Sequence, residues 1–117
     1  MRKQVFILTL LINCCYSFGQ SFTSSNLPII VINTGDVEIP DDPKLTAEMG
    51  IIYNGEGMMN SLSDPFNNYS GPIGIETRGN STQSFDKKTY SVELRQPDGS
   101  DSSAVLLDMP KEEDWIL

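Results

Sequence analysis

The sequence contains no histidine, and its only two cysteines, Cys14 and Cys15, lie side by side near the beginning of the chain. Histidine is the commonest general base at neutral pH and the commonest metal ligand in proteins. A Ser-His-Asp hydrolase and a histidine-ligated zinc site are therefore excluded within these 117 residues. The length allows one domain at most.

The first 19 residues have the three parts of a secretory signal peptide. A positively charged start is followed by an apolar run over residues 5–12 and by Ser17-Phe18-Gly19, a small-residue cleavage site. The apolar run is too short to span a bilayer as a permanent helix. The sequence thus predicts a secreted, extracytoplasmic protein, in the periplasm or at the cell surface, with no transmembrane anchor after cleavage. Cys14 and Cys15 leave a lipoprotein open as the alternative.

Cleavage after residue 19 would leave a strongly acidic chain without cysteine. Residues 20–117 number 98 and carry a formal charge of −10, because Arg2 and Lys3 are lost with the signal peptide. No disulfide can form in such a chain, even after export. An acidic surface without a basic stripe argues against nucleic acid and anionic lipid as partners. We expect a polar leader over 20–26 and a single incomplete domain over 27–117.

Hydrophobic alternation predicts two neighbouring strands between Ile73 and Leu94. Ile73 and Ile75 alternate with other residues before a short loop, and Tyr90, Val92 and Leu94 do so after it. Alternation with a period of two is typical of half-buried strands.

The loop between these strands is rich in glycine, amide and hydroxyl side chains. It runs from Gly79 to Ser84, with Arg78 before it and Lys87-Lys88 after it. A cation at each end predicts an anion-binding loop, although the loop matches neither the Walker A motif nor the kinase glycine-rich motif. In the alternative reading, Lys88 extends into solvent and Arg78 pairs with a surface acid. With sixteen acidic residues in the chain, composition alone favours that alternative.

The remaining segments predict further antiparallel strands and one long loop. The β-branched run over 27–32 predicts a buried strand, and residues 44–54 fit a helix or a strand, of which we favour the strand. Asparagine, glycine, serine and aspartate dominate residues 54–71, which predicts a functional or disordered loop. An Asp98-Gly99 turn then predicts a returning strand over 104–107.

The order of several motifs resembles the CotH kinase family, the spore-coat-H-like secreted proteins of bacteria. The most specific part is Glu76-x-Arg78-Gly79-x-Ser81 followed by Phe85-x-Lys87-Lys88-x-Tyr90, and the resemblance extends from about Leu27 to Leu117. It implies an α+β fold, mostly antiparallel β in this portion, that resembles the N-terminal nucleotide-binding lobe of an atypical protein kinase. It also implies phosphoryl transfer from ATP, with Mg²⁺, to serine or threonine of a secreted or surface protein.

The resemblance assigns cofactor-binding roles to five residues. Arg78 and Lys88, with Lys87 as a second cation, are expected to position the ATP phosphates, Glu76 to orient a cation, and Ser81 to lie near the phosphates. Catalytic and metal-binding aspartates are expected in a later lobe, so these 117 residues alone are not expected to catalyse transfer.

Two positions depart from the family pattern. Aspartate stands at Asp86, where the family often has proline, and at Asp108, where it often has glycine. The first departure is expected to weaken a phosphate contact and the second to loosen a turn.

Two other interpretations remain open from the sequence. One is an exported β-sandwich module that binds calcium or a glycan through residues 54–71. Asp64, Asn67 and Asn68 supply oxygen ligands there, but their spacing does not match the EF-hand pattern, so a solvated turn-rich loop is favoured. The other is a kinase-like remnant kept as a structural surface protein.

Overall fold

Five of the strands pair side by side in one antiparallel sheet. The computed structural model describes residues 19–79 and 84–117, and everything below concerns these residues. The strands in chain order are β1 (Ser24–Ser25), β2 (Ile29–Asn33), β3 (Leu45–Ile52), β4 (Asn60–Ser61), β5 (Tyr69–Thr77), β6 (Tyr90–Leu94) and β7 (Asp114–Ile116). The five-stranded sheet has the order β2-β3-β5-β6-β7, and β1 pairs with β4 in a small second sheet.

Strand β5 lies at the centre of the sheet and fixes its register. Ile73 is paired with Ala47 of β3 on one side and with Leu94 of β6 on the other, and Ile75 is paired with Leu45 and Val92. Because side chains alternate between the two faces of a strand, this register collects most apolar residues of the three strands on one face. Ile52, at the end of β3, is buried on the opposite face.

That apolar face forms the core. The side chains of Ile73, Ile75, Val92 and Leu94 are fully buried, and Leu106 covers them from the segment after β6. Partly buried apolar residues complete the cluster: Ile32, Ile39, Leu45, Tyr69, Tyr90, Ala104, Leu107 and Trp115.

The opposite face carries polar residues and two glycines where large side chains come close. A Cβ at Gly50 would lie 2.5 Å from the ring of Phe66, and a Cβ at Gly74 would collide with the guanidinium of Arg95. Phe66 and Arg95 therefore lie directly on the backbone of β3 and β5, in positions that only glycine beneath them permits.

The predicted α+β class is wrong, because the described residues form an all-β structure without a helix. The likeness to a kinase-type N-terminal lobe, as a statement about the fold, fails with it. Pro40 and Pro43 interrupt the segment before β3, and β-branched residues such as Ile51 and Ile52 favour extended backbone within it. Strand β3 then finds a hydrogen-bonding partner on each side, which outweighs the weak helical pattern of 44–49.

Individual strand predictions differ in their outcome. The strands predicted around 27–32, 44–54, 73–78 and 88–95 are present as β2, β3, β5 and β6. The strand predicted over 104–107 is wrong, since the segment makes only an isolated bridge from Ala104 to Glu112. The backbone of Leu107 and Asp108 has φ of 52° and 61°, a left-handed conformation that ends an extended segment.

Substitution of a central core residue tests this packing. We expect Ile75→Ala to lower the free energy of unfolding by about 2–5 kcal/mol, because it leaves a cavity beneath fully buried neighbours. The same substitution at Ile116, whose side chain is 59% exposed, is the matched control and is expected to cost less than about 1 kcal/mol. Urea unfolding of both variants gives the comparison, and equal losses would contradict the assigned core.

Candidate ligand-binding groove

An open groove of about 540 Å³ lies at one end of the central strands. Its lining comes from the end of β5, the beginning of β6 and the segment before β3: Glu38, Ile39, Pro40, Asp41, Thr77, Lys88 and Tyr90. Ligand sites of small molecules have volumes of roughly 300–1,000 Å³, so the groove is large enough for one.

Backbone pairing holds the two walls of the groove together. Thr77 donates its N–H to the carbonyl of Pro40 over 2.7 Å, and Thr77 is itself the register partner of Tyr90. Ile39 packs against the core, which anchors the acidic segment beside the sheet. The groove wall is therefore an extension of the folded sheet, although Pro40 is 37 residues before Thr77.

Among the predicted cofactor-binding residues that the structure describes, only Lys88 lines the groove. Lys88 is two residues before Tyr90 and therefore has the alternation of the side chains on the apolar face of the sheet. Its own side chain is half-buried. Lys87 is exposed and precedes it in the chain. Ser81 lies outside the described residues.

Glu76 and Arg78 follow the other alternation. Glu76 is paired with Ser91 and belongs to the polar face of the sheet. The N–H of Arg78 donates to the carbonyl of Thr89 over 2.7 Å, which continues the β5–β6 ladder by one residue and gives Arg78 the alternation of Glu76. By this register, Glu76 and Arg78 follow the polar face of the sheet, whereas Lys88 follows the apolar face.

The charges around the groove have mixed sign. Glu38 and Asp41 line it together with Lys88, so the lining contains two carboxylates and one ammonium group. Lys88 would attract an anionic ligand, and the two carboxylates would repel it. Within residues 19–79 and 84–117, no group of three or more His, Cys, Asp or Glu side chains is arranged to hold a metal ion.

A second charged arrangement, which the sequence did not predict, lies on the polar face. We call Lys44, Glu93, Arg95 and Asp101 the acid–base cluster. The Lys44 ammonium donates to Glu93 Oε2 over 2.7 Å, and Arg95 Nε lies 3.9 Å from Glu93 Oε1. Lys44 and Glu93 are 49 residues apart, so no local spacing could have indicated their pairing.

Hydrogen bonds set the titration of this cluster. The bond from Lys44 lowers the pKa of Glu93 below its ordinary value and raises the pKa of Lys44. The pKa of Asp101 is raised because its carboxyl group shares a hydrogen bond with Glu93.

The prediction of one long loop over 54–71 is only partly right, since β4 and the first residues of β5 lie within it. The segment contains a network of hydrogen bonds that its own side chains accept. Asn54 Nδ2 and the N–H of Ser61 both donate to Asp64 Oδ2 at 2.9 Å, and the Ser61 bond is the main reason that the pKa of Asp64 is lowered. Asn67 donates to Asn54 Oδ1, and buried Asn60 accepts the N–H of Asn54. These oxygen atoms serve amide donors, which argues against their use as calcium ligands.

No protein-family model, curated protein or solved structure matches the chain. The resemblance to CotH kinases therefore stays a prediction that depends on the motif residues alone. Within the described ranges, no helix is long and apolar enough to cross a membrane.

The Lys44–Glu93 pair gives the stability a pH dependence of known sign. We expect Lys44→Met to lower the free energy of unfolding at pH 7 by about 1 kcal/mol, the upper range for a partly exposed pair. A carboxyl group whose pKa is lower in the folded state than in the unfolded state stabilises the fold at pH values above its unfolded-state pKa. This stabilisation is lost as the pH falls through the folded-state pKa. The deficit of the variant should therefore shrink as the pH falls below about 4.3.

Urea unfolding between neutral and acidic pH measures this deficit. Lys111→Met, at an exposed lysine outside the cluster, is the control and should leave stability and its pH dependence unchanged. A deficit of Lys44→Met that stays constant across the range would contradict the pairing.

Proposed function

We propose that this chain is part of a secreted CotH-like phosphotransferase and that its groove binds the phosphate end of ATP. The whole protein would transfer a phosphoryl group to serine or threonine of a secreted or surface protein. Within this proposal the chain supplies nucleotide contacts, and no catalytic or metal-binding role is assigned to its residues.

The observation that carries the proposal is the position of Lys88 in the groove. This lysine belongs to the most specific part of the CotH-like motif. It lines the groove together with Thr77 and Tyr90, so a cationic, a hydroxyl-bearing and an aromatic residue contribute to one lining. Such a combination of a few polar groups on a rigid frame suits a phosphate-bearing ligand with a planar base.

The acidic members of the lining shape this proposal further. Because Glu38 and Asp41 oppose a polyphosphate, ATP should bind better when its charge is partly neutralised by Mg²⁺ that it carries with it. Lys87 remains a further phosphate contact in the proposal. Arg78 and Glu76 follow the alternation of the other face and are its weakest members.

A binding module without catalysis is the second candidate. The observation that favours it is the all-β architecture of the described residues, which is common among exported binding domains. Its ligand would be a glycan in preference to calcium, since the loop oxygens already accept hydrogen bonds.

Nucleotide binding by the unmodified chain and by Lys88→Met tests the first proposal. We expect Mg-ATP to raise the thermal midpoint of the unmodified chain and the variant to bind about tenfold to a hundredfold more weakly, because a charge-assisted hydrogen bond to phosphate is lost. Isothermal titration calorimetry measures both affinities. Lys111→Met removes the same charge outside the groove and should bind like the unmodified chain.

Three results would count against the proposal. They are equal affinities of the Lys88 and Lys111 variants, no binding of Mg-ATP to a chain that is folded by circular dichroism, and stabilisation by sugars or Ca²⁺ alone. The last result would favour the binding module.

A further inference from the structure

The outer edge of β2 is an unpaired edge of the five-stranded sheet. Strand β2 pairs with β3 on one side, and no strand of the described residues lies on its other side. An edge of this kind presents backbone N–H and C=O groups that can pair with a further strand.

The register identifies which backbone groups point outward. The carbonyl of Ile51 accepts the N–H of Asn68, so Ile51 directs its backbone groups towards β5. Ile51 is the register partner of Ile30. Because hydrogen-bonded and non-hydrogen-bonded pairs alternate in an antiparallel ladder, Ile30 and Ile32 direct their N–H and C=O groups away from β3. The outer edge thus offers two donors and two acceptors.

The side chains of β2 lack the features that protect edge strands. Residues Ile29–Asn33 include neither a charged residue nor a proline, and the side chain of Ile30 is 37% exposed. Natural proteins usually place lysine, proline or a bulge on such an edge to prevent pairing. An apolar, uncharged edge strand of this kind is able to pair with an added strand.

A hollow borders β2 on each face of the sheet. On the apolar face, Ile30 lines a cavity of about 80 Å³ between the sheet and the segment that contains Leu106. On the polar face, Val31 and Glu48 line a second hollow, of about 180 Å³, which Phe66 also lines. The alternate side chains of an added strand would extend towards these two hollows, as in peptide recognition by strand addition.

The charge beside the edge selects the partner. Glu48 is the register partner of Asn33, next to the edge, and no lysine or arginine among the described residues forms an ion pair with it. The formal charge of the whole chain is −8. A second copy would bring like charges together, whereas lysine or arginine on one face of an added strand could reach Glu48 across Asn33.

We propose that the outer edge of β2 binds an extended segment of a basic partner protein, with apolar side chains on one face and lysine or arginine on the other. The added strand pairs with the backbone of Ile30 and Ile32, and its cationic face lies on the Glu48 side. This surface is separate from the groove that contains Lys88, so the inference is independent of the proposed nucleotide binding.

A labelled octapeptide of alternating valine and lysine is the probe. We expect fluorescence anisotropy to show binding to the unmodified chain, and a peptide of the same composition with all valines before all lysines to bind about tenfold more weakly, because it lacks the strand alternation. Equal affinities of the two peptides would show that the chain binds them through net charge alone, and this would overturn the proposal.

Two pairs of variants locate the binding surface. Ile30→Lys should weaken binding of the alternating peptide about tenfold, because it places a charge on the edge, whereas Val105→Lys adds the same charge at another exposed apolar residue and should have little effect. Glu48→Gln should weaken binding more than Glu56→Gln, an equal charge change in an exposed turn. Equal effects within either pair would contradict the assigned surface.

Hydrogen exchange tests the edge without any substitution. Binding of the alternating peptide to the unmodified chain should slow exchange of the Ile30 and Ile32 amides, which point outward, and leave the Val37 amide unchanged. Absence of protection at β2 would overturn the proposal. So would sedimentation of the chain alone as a dimer that Ile30→Lys dissociates, since a second copy would then occupy the edge.

Discussion

The pairing of β5 with a strand on each side is the constraint on which the rest of the structure depends. Ile73 and Ile75 are fully buried only because β3 and β6 present apolar partners at matching positions. A slip of one residue would move the whole apolar set to the opposite face, so burial specifies the register strongly. The same register brings Thr77 to the groove and leaves Gly74 beneath the guanidinium of Arg95.

The two faces of the sheet divide the charged residues between them. Lys88 follows the alternation of the apolar face and lines the groove, while Glu76 belongs to the polar face that also holds the acid–base cluster. A strand separates neighbouring side chains in this way whatever their chemical similarity. Residues that are close in a motif can therefore serve different surfaces, which explains why the CotH-like motif does not converge as a whole on one groove.

Local sequence patterns were sufficient to predict the strands that bury one face. The alternation around Ile73–Ile75 and Tyr90–Leu94 predicted β5 and β6, because burial of one face imposes that alternation. Segment 104–107 was misassigned because its apolar run packs on the core through irregular backbone, with Leu107 in a left-handed conformation. Glu38 and Asp41 of the groove were not predicted, since only the contact of Pro40 with Thr77 brings them there.

The sequence by itself determined the acidic charge, the absence of histidine, the position of the central strands and the cationic residues around the loop after β5. These properties depend on composition and on the local alternation of side chains. Only the tertiary structure decided the sheet order, the exposed edge of β2, the partner of Lys44 and the face to which each charged residue belongs. Those features arise from pairing between segments far apart in the chain, which local patterns do not encode.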